Sequence, residues 1–229
     1  MFPLRDNILS KTFPFVNVSI IGVNFLIYFY QLILGQERIS DFVFRYALIP
    51  AKVTEGMMTG RGLAFSILGF FTSMFIHLSF WHILGNMYFL WIFGDNVEDA
   101  LGHFGYLLFY LFSGLMAGGI FYLSARFSDA PTIGASGAVA GVLGAYFILY
   151  PRARVLTFVP IFFIFELPAL LFLGIWIIIQ FFYAFSLIGY GDSSGMVAWW
   201  AHIGGFVSGA VLIFIFKKMI QKRYYAKWQ

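Results

Sequence analysis

Four polar residues in an otherwise apolar chain carry side chains suited to acyl-transfer chemistry. Ser136 lies among small residues in the segment PTIGASGAVAGVLGAYF, and His202 lies in the segment AHIGGFVSG. A serine hydroxyl becomes a nucleophile when a base removes its proton, and histidine is the usual base. His82 and Asn86 are four residues apart, so on a helix they share one face and can donate to the same oxygen. These residue types predict a hydrolytic site with a serine nucleophile.

Each of these residues also has an ordinary structural interpretation. A histidine such as His82 is often a hydrogen-bonded core residue, and an asparagine such as Asn86 often bonds a neighbouring helix. A serine followed by glycines four residues apart is also typical of simple helix packing in membranes. The catalytic interpretation therefore depends on the four polar residues meeting at one place.

The composition indicates that membrane helices position these residues. The chain of 229 residues is 61% hydrophobic and 10% charged, whereas about a quarter of a soluble domain is charged. In a bilayer the backbone is satisfied within helices or closed barrels, and long apolar runs without alternation favour helices. The net charge of +4 is explained by membrane topology and contact with anionic lipid, so the bilayer and not a nucleic acid is the predicted partner. The absence of cysteine excludes disulfides and thiol catalysis.

Runs without charged residues predict an all-α, polytopic bundle of six transmembrane helices in a single domain, residues 1–229. The first loop is long, and its segment Leu63–Ile76 is predicted to be helical. No cleavable signal peptide is predicted, because the first apolar run is too long. The distribution of Lys and Arg predicts cytoplasmic termini and a site toward the outer side of the membrane. The predicted spans are 13–35, 80–94, 104–125, 135–150, 167–188 and 197–216.

Charged residues at the ends of the spans place the polar residues at similar depths. Ser136 precedes Arg152 by 16 residues, and His202 precedes Lys217 by 15 residues. At a rise of about 1.5 Å per residue, Ser136 lies about 24 Å and His202 about 22 Å from the cytoplasmic end of its span. His82 lies about 20 Å from the cytoplasmic end of its span, which is near Asp95. Because the three spans run in the same direction, the polar residues share the outer half of the bilayer.

Small residues indicate which helices approach one another closely. One stripe of glycines follows Ser136, and a second stripe lies on the face of the last span that carries His202. Helix backbones in lipid come close where side chains are small. The glycines assigned to packing around the site are Gly134, Gly137, Gly141, Gly205 and Gly209. Packing of the fourth span against the sixth through these faces brings the serine and the histidine together.

With these residues identified, the chain resembles the rhomboid family of intramembrane serine proteases. Three segments carry the resemblance: HLSFWHILGN at 77–86, GASGA at 134–138 and AHIGGFVSG at 201–209. They match the motifs H-x-x-x-N, G-x-S-G and A-H-x-x-G-x-x-x-G in order and spacing. The segment FGDNVED at 93–99 is similar to the loop that commonly follows the second span.

The resemblance implies a role for each residue. Ser136 is the implied nucleophile and His202 the implied base, and the implied oxyanion hole consists of His82, Asn86 and the Ser136 amide. The implied substrates are transmembrane proteins cut in or near a membrane segment, with no metal and no cofactor. Lateral substrate access is implied beside the fifth helix, under a cap loop at about 188–196.

Two positions depart from the family pattern. Some members carry an aromatic residue one turn after the serine, which stacks on the histidine, whereas this chain has Ala140. Some members have glycine five residues before the histidine, whereas this chain has Val197. Another group must therefore hold the imidazole. The candidates are Trp199, Trp200 and Tyr88.

Other classes of membrane protein fit the sequence less well. The segment GYGD at 189–192 is similar to an aspartyl-protease signature, but that chemistry needs a second membrane aspartate and the predicted spans contain none; a turn is the preferred interpretation. The zinc motif H-E-x-x-H is absent, and no inverted repeat suggests a transporter. A catalytically inactive, client-binding rhomboid-like protein is the alternative, although such proteins usually lack the serine or the histidine. The expected location is a bacterial or archaeal cell membrane, and no oligomeric state is predicted.

Overall fold

The chain folds into apolar helices of different lengths, with a small sheet beside them. The computed structural model describes residues 1–160, 163–186 and 199–216. The α-helices are α1 (Phe15–Tyr46), α2 (Pro50–Thr59), α3 (Leu63–Thr72), α4 (Phe80–Leu101), α5 (His103–Ser124), α6 (Ser136–Leu149), α7 (Ala169–Ser186) and α8 (Trp199–Ile215). A 3₁₀ turn follows α3 at Ser73–Phe75. The strands are β1 (Phe2–Asp6), β2 (Arg154–Val159) and β3 (Phe163–Pro168).

The helices support a multi-pass membrane protein. Three of the described helical segments are long and apolar enough to cross a bilayer, namely α5, α7 and the part of α1 from Phe15 to Gly35. Helix α1 is broken at Gly35, whose φ of 72° lies in the left-handed region. The α3 segment and α4 pass the same test as one pair bent by 77°. The predicted count of six spans is not confirmed on this criterion, because α6 and α8 have only 14 and 17 residues.

Helix α6 lies at the centre of the bundle. Every residue from Gly137 to Tyr146 is buried, although this helix is as apolar as a lipid-facing one. Its neighbours are α4, α5 and α8, whose large side chains fill the core beside it. The largest of these fully buried side chains include Tyr106, Tyr110, Phe93 and Phe109. A helix that is apolar on all sides is thus explained by burial on all sides.

The first loop is partly helical, as predicted. Helix α3 and the 3₁₀ turn together cover 63–75, and α2 precedes them. Helix α2 ends at Gly60 in a left-handed conformation, and Gly62 caps the start of α3. The glycine pair therefore makes the turn between these two short helices.

Helix α4 continues through 93–99, so the predicted loop at this segment is wrong. Two of its acidic residues, Glu98 and Asp99, are buried, with Glu98 0% exposed, and their carboxylates face the start of α1. The Glu98 carboxylate accepts the backbone N–H groups of Val16 at 3.0 Å and Asn17 at 2.7 Å. The first N–H groups of a helix have no acceptor within the helix, so a carboxylate from another helix can satisfy them. The charges that suggest a loop are thus used to cap α1.

A three-stranded antiparallel sheet departs from the all-α prediction. The strand order is β1-β2-β3, with Phe2 opposite Phe158 and Arg154 opposite Pro168. The predicted span 167–188 begins within β3, and its helical part begins at Ala169. Short apolar runs rich in β-branched and aromatic residues do not distinguish a strand from a helix end, which explains the error.

Several predicted features lie outside the described residues. These are the cap loop at 188–196, the GYGD turn at 189–192, Val197 and the basic segment from Lys217 onward.

Asp6 links the sheet to the helical core. Its Oδ2 atom accepts a hydrogen bond from Asn96 Nδ2 at 2.9 Å and another from the Tyr146 hydroxyl. Burial raises the pKa of Asp6 from 3.8 to about 6, because the charged form is desolvated. The folded state therefore retains a proton that the unfolded chain releases at lower pH. The corresponding contribution to stability is complete below pH 3.8 and is lost as the pH rises through about 6.

Asp6→Asn is therefore expected to be more favourable at pH 7.5 than at pH 4, because the variant has no carboxylate to ionise. The difference in apparent melting temperature, variant minus wild type, should be about 2–4 °C larger at pH 7.5 than at pH 4. A free-energy change of about 1 kcal/mol produces a shift of this size in a chain of this length. Thermal unfolding in detergent measures the difference, and Asp41→Asn at an exposed position is the control. A difference that is constant with pH would contradict this role for Asp6.

Candidate active site

A cavity of about 530 Å³ lies between α4, α6, α7 and α8. All four polar residues identified in the sequence line it: Ser136 from α6, His202 from α8, and His82 and Asn86 from α4. Trp176 on α7 and Ala140 on α6 contribute apolar surface. A concave apolar site with a few converging polar groups is the usual form of a substrate-binding site.

Ser136 occupies the first residue of α6. The helix has no side-chain cap, and the first N–H groups of a helix have no acceptor within it. The Ser136 hydroxyl and the positive end of α6 therefore lie together at the cavity.

Gly134 makes the turn that leads into α6, and it lies against the His82 ring of α4. Its φ is 110°, a conformation that residues with a side chain rarely adopt. A Cβ atom at this position would lie 2.7 Å from Nε2 and Cε1 of His82. Glycine is required here by both the backbone conformation and the approach of the imidazole.

Helices α6 and α8 pack through their glycine stripes. A Cβ atom on Gly205 would overlap the Gly137 carbonyl oxygen, and one on Gly209 would overlap the Gly141 carbonyl oxygen. Contacts advance in the same direction along both helices, so the two helices are parallel.

This register places the ends of α6 and α8 that carry the serine and the histidine at the same level. A Cβ atom on Gly137 would lie 3.7 Å from the carbonyl oxygen of Ala201. Ser136 immediately precedes Gly137, and His202 immediately follows Ala201. Both side chains reach the same cavity from neighbouring helices.

The start of α4 positions the second pair of polar residues. Ser79 precedes the helix, and its hydroxyl accepts the His82 backbone N–H at 3.2 Å. Such an N-cap fixes where the helix begins, and it places His82 in the first turn with Asn86 one turn below.

His77 contacts Asn86 beside the cavity, a contact that the sequence does not indicate. The side chain is 0% exposed, although the sequence places it near a span boundary. Its Nε2 atom lies 3.0 Å from Asn86 Nδ2 and accepts the Ala135 backbone N–H at 3.3 Å. An N–H can only donate, so Nε2 is unprotonated and accepts from Asn86 as well. Since Asn86 Nδ2 carries two protons, one is available to an acceptor in the cavity.

The backbone of His77 is itself held in place by a side chain of α1. Gln31 donates to the His77 carbonyl at 2.8 Å, and its own carbonyl oxygen accepts the His77 N–H at 3.1 Å. This paired contact locks the bend between the 3₁₀ turn and α4. Single polar residues such as His77 and Gln31 belong to no spacing pattern in the sequence. Their only signal is that a polar side chain in an apolar segment is energetically costly.

Gln180 on α7 contacts the imidazole of His202. Its Oε1 atom lies 2.8 Å from His202 Nδ1. The rings of Trp176 and Trp199 flank the imidazole, with centroids at 6.1 Å and 5.9 Å. The sequence suggests Trp199 but neither Gln180 nor Trp176.

The other two candidates for holding the imidazole have different partners. Tyr88 donates to the carbonyl oxygen of Pro3 at 2.7 Å, and Trp200 packs against the ring of Phe185. In the described part of the chain, no three side chains of His, Cys, Asp or Glu are grouped as metal ligands would be.

Comparison with known proteins identifies the family. The family model of the rhomboid domain matches residues 64–219. Rhomboid protein 1, mitochondrial, of Saccharomyces cerevisiae is 34% identical over 163 residues, which are 69% of this chain and 43% of the yeast protein. The human presenilin-associated rhomboid-like protein, mitochondrial, is 34% identical over 93 residues, 39% of this chain and 24% of that protein.

A plant protein shows a similar relationship over a shorter segment. Rhomboid-like protein 11, chloroplastic, of Arabidopsis thaliana is 42% identical over 73 residues, 32% of this chain and 26% of that protein. The matched segments thus span less than half the length of these relatives. Since the domain match covers most of the chain and includes every segment that lines the cavity, the chain belongs to the rhomboid family.

Proposed function

We propose that the protein is a serine endopeptidase that hydrolyses peptide bonds in or near transmembrane segments of membrane-protein substrates. The observation that supports this most strongly is the cavity in which Ser136, His202, His82 and Asn86 converge from three helices. A protein that only binds clients has no need for a hydroxyl and an imidazole at the same level on parallel helices. Membership of the rhomboid family is consistent with this activity.

The proposed reaction uses a dyad of Ser136 and His202. The imidazole takes the hydroxyl proton as Oγ attacks the scissile carbonyl carbon, and a C–O bond forms. The protonated imidazole then gives this proton to the leaving amine as the C–N bond breaks. Water, deprotonated by the same imidazole, hydrolyses the acyl-enzyme and regenerates the serine.

The proposed oxyanion hole faces this reaction from α4 and from the start of α6. The donors are the Ser136 amide, the Asn86 side chain and the His82 ring. The contact between Asn86 and His77 supports this assignment, because it holds one amide proton and directs the other away from His77. Donors fixed before the reaction stabilise developing charge without reorganisation.

The proposed arrangement in the membrane has six spans, in which α6 and α8 cross as shortened helices. Burial of α6 within other helices supports a short span, since a helix surrounded by protein need not match the bilayer thickness. Cytoplasmic termini, with the cavity toward the outer side, follow from the Lys and Arg distribution. Location in a bacterial or archaeal cell membrane stays a prediction. The relatives named above do not support it, since their names place them in mitochondria or chloroplasts.

Labelling with a fluorophosphonate and cleavage of a model substrate test this function together. The purified protein in proteoliposomes is expected to cut a transmembrane substrate with a helix-destabilising residue, and peptide mass spectrometry should locate the label on Ser136. His202→Ala should abolish both signals, whereas Ser208→Ala, at a buried serine of α8, should retain them. A label on a different residue, or no cleavage by a folded wild-type protein, would refute the proposal.

A further inference from the structure

We propose that Gln180 is the positioning residue of the base. Its side-chain oxygen accepts the Nδ1 proton of His202 and thereby leaves Nε2 free to take the proton of Ser136. This inference rests on the proposed function, because a fixed tautomer matters only if His202 acts as a base. In a Ser-His-Asp triad an aspartate holds the imidazole in this way.

The hydrogen bonds of the Gln180 amide determine its orientation. The side chain is 5% exposed, and its Nε2 atom donates to the Trp176 carbonyl oxygen at 3.4 Å. The amide nitrogen faces a carbonyl, so the amide oxygen faces the imidazole, 2.8 Å from Nδ1. An amide oxygen can only accept, and therefore Nδ1 carries the proton. A neutral imidazole has one such proton, so Nε2 is the basic nitrogen.

Two indole rings flank the imidazole in this orientation. The Trp176 ring is tilted by 36° to the imidazole, and the Trp199 ring meets it edge-on at 89°. Ala140, where some family members have an aromatic residue, leaves the α6 side of the imidazole without a ring. Helix α7 thus supplies both the acceptor and a flanking ring. These contacts replace the aromatic stacking on the imidazole that Ala140 of α6 cannot make.

The polar side chains near His202 come from three helices. Helix α6 contributes Ser136, α7 contributes Gln180, and α4 contributes His82, the other titratable side chain that faces the ring in the described residues. Because Gln180 belongs to α7, an outward displacement of this helix removes the acceptor from the imidazole. The position of α7 and the tautomer of the base are therefore coupled.

Substitution by an apolar residue and by a carboxylate tests the role of Gln180. Gln180→Leu keeps similar volume without an acceptor, and it is expected to lower kcat by about 10–100-fold while KM changes by less than about twofold. Gln180→Glu restores an acceptor and should recover most of kcat. The acid limb of its pH–rate profile should move to higher pH, because a nearby carboxylate stabilises the protonated imidazole.

Nitrogen NMR of the ¹⁵N-histidine-labelled protein gives a readout that is independent of cleavage. In wild type, the His202 signals should show a protonated Nδ1 and an unprotonated Nε2, and Gln180→Leu should mix the two tautomers. The signals are assigned by comparison with His202→Ala. Ile178→Ala, on the lipid-facing side of α7 with a side chain 65% exposed, is the control and should change neither kinetics nor tautomer.

The possible results separate this inference from the proposed function. A Gln180→Leu variant with wild-type kcat and an unchanged tautomer would overturn the role of Gln180 and leave the protease assignment intact. A wild-type His202 with its proton on Nε2 would also overturn it, even if the variant failed to fold. A wild-type protein without cleavage but with the Nδ1-protonated tautomer would remove the proposed function, and with it any role of the contact in catalysis.

Discussion

Ser136→Ala is expected to reduce proteolysis by about 10⁴-fold or more, to the detection limit of a cleavage assay. The variant loses the nucleophile and retains the cavity, because only the hydroxyl oxygen is removed. The start of α6 should be unaffected, since Ala135 and not Ser136 occupies the capping position and no side-chain cap is present. The expected change in stability is within about 0.5 kcal/mol. A loss of activity can therefore be attributed to the chemistry.

The assay combines three measurements on the same preparation. Substrate cleavage in proteoliposomes gives the rate, thermal unfolding gives stability, and co-purification gives binding of the transmembrane substrate. Ser136→Ala should retain binding and unfolding behaviour, whereas the matched variant Ser208→Ala should retain cleavage as well. Cleavage by Ser136→Ala at more than a trace of the wild-type rate would exclude Ser136 as nucleophile. Binding without cleavage in the wild-type protein would favour the alternative of a client-binding protein.

The residues that line the site could be predicted because each motif is local. His82 and Asn86 share one helical turn, and Ser136 and His202 each adjoin a stripe of glycines that reports on the facing helix. The predicted family is confirmed, and the cavity contains all four of these residues. Periodicity and small residues describe a helix face, so they suffice for sites built where such faces meet.

Contacts between distant segments could not be predicted in the same way. The buried carboxylate of Glu98 caps a helix that lies 81 residues away in the chain, so its charge suggests a loop when only the local sequence is considered. The β-strands are similar, since β1 is paired with a partner about 150 residues away. Neither pattern has a local signal for its partner.

Gln180 shows the same limit within the site. Ala140, in place of an aromatic residue, leads to the prediction that another group holds the imidazole. Which group does so depends on how α7 packs on α8, and Gln180 lies 22 residues from His202. A single glutamine in an apolar span signals only that a costly polar group has a reason to be there.

Gly209→Ala is expected to be the most destabilising small substitution in the bundle. A Cβ atom here would overlap the carbonyl oxygen, carbonyl carbon and Cα of Gly141. These are backbone atoms, so no side-chain rotation relieves the overlap and α6 and α8 must separate. The expected cost is about 3 kcal/mol or more. This loss corresponds to a decrease of about 6–12 °C in the apparent melting temperature.

The same substitution should also reduce cleavage, because the packing of these two helices brings Ser136 and His202 to the same cavity. Gly119→Ala on α5 is the matched control: apart from its chain neighbours and the backbone of its own helix, no atom lies within 4 Å of its Cβ position, and alanine favours a helix over glycine by about 1 kcal/mol. Its melting temperature should be unchanged or slightly higher, with wild-type cleavage. If Gly209→Ala melted and cleaved like Gly119→Ala, the two helices would have room between them. Glycine packing would then not explain why Ser136 and His202 lie at the same level on α6 and α8.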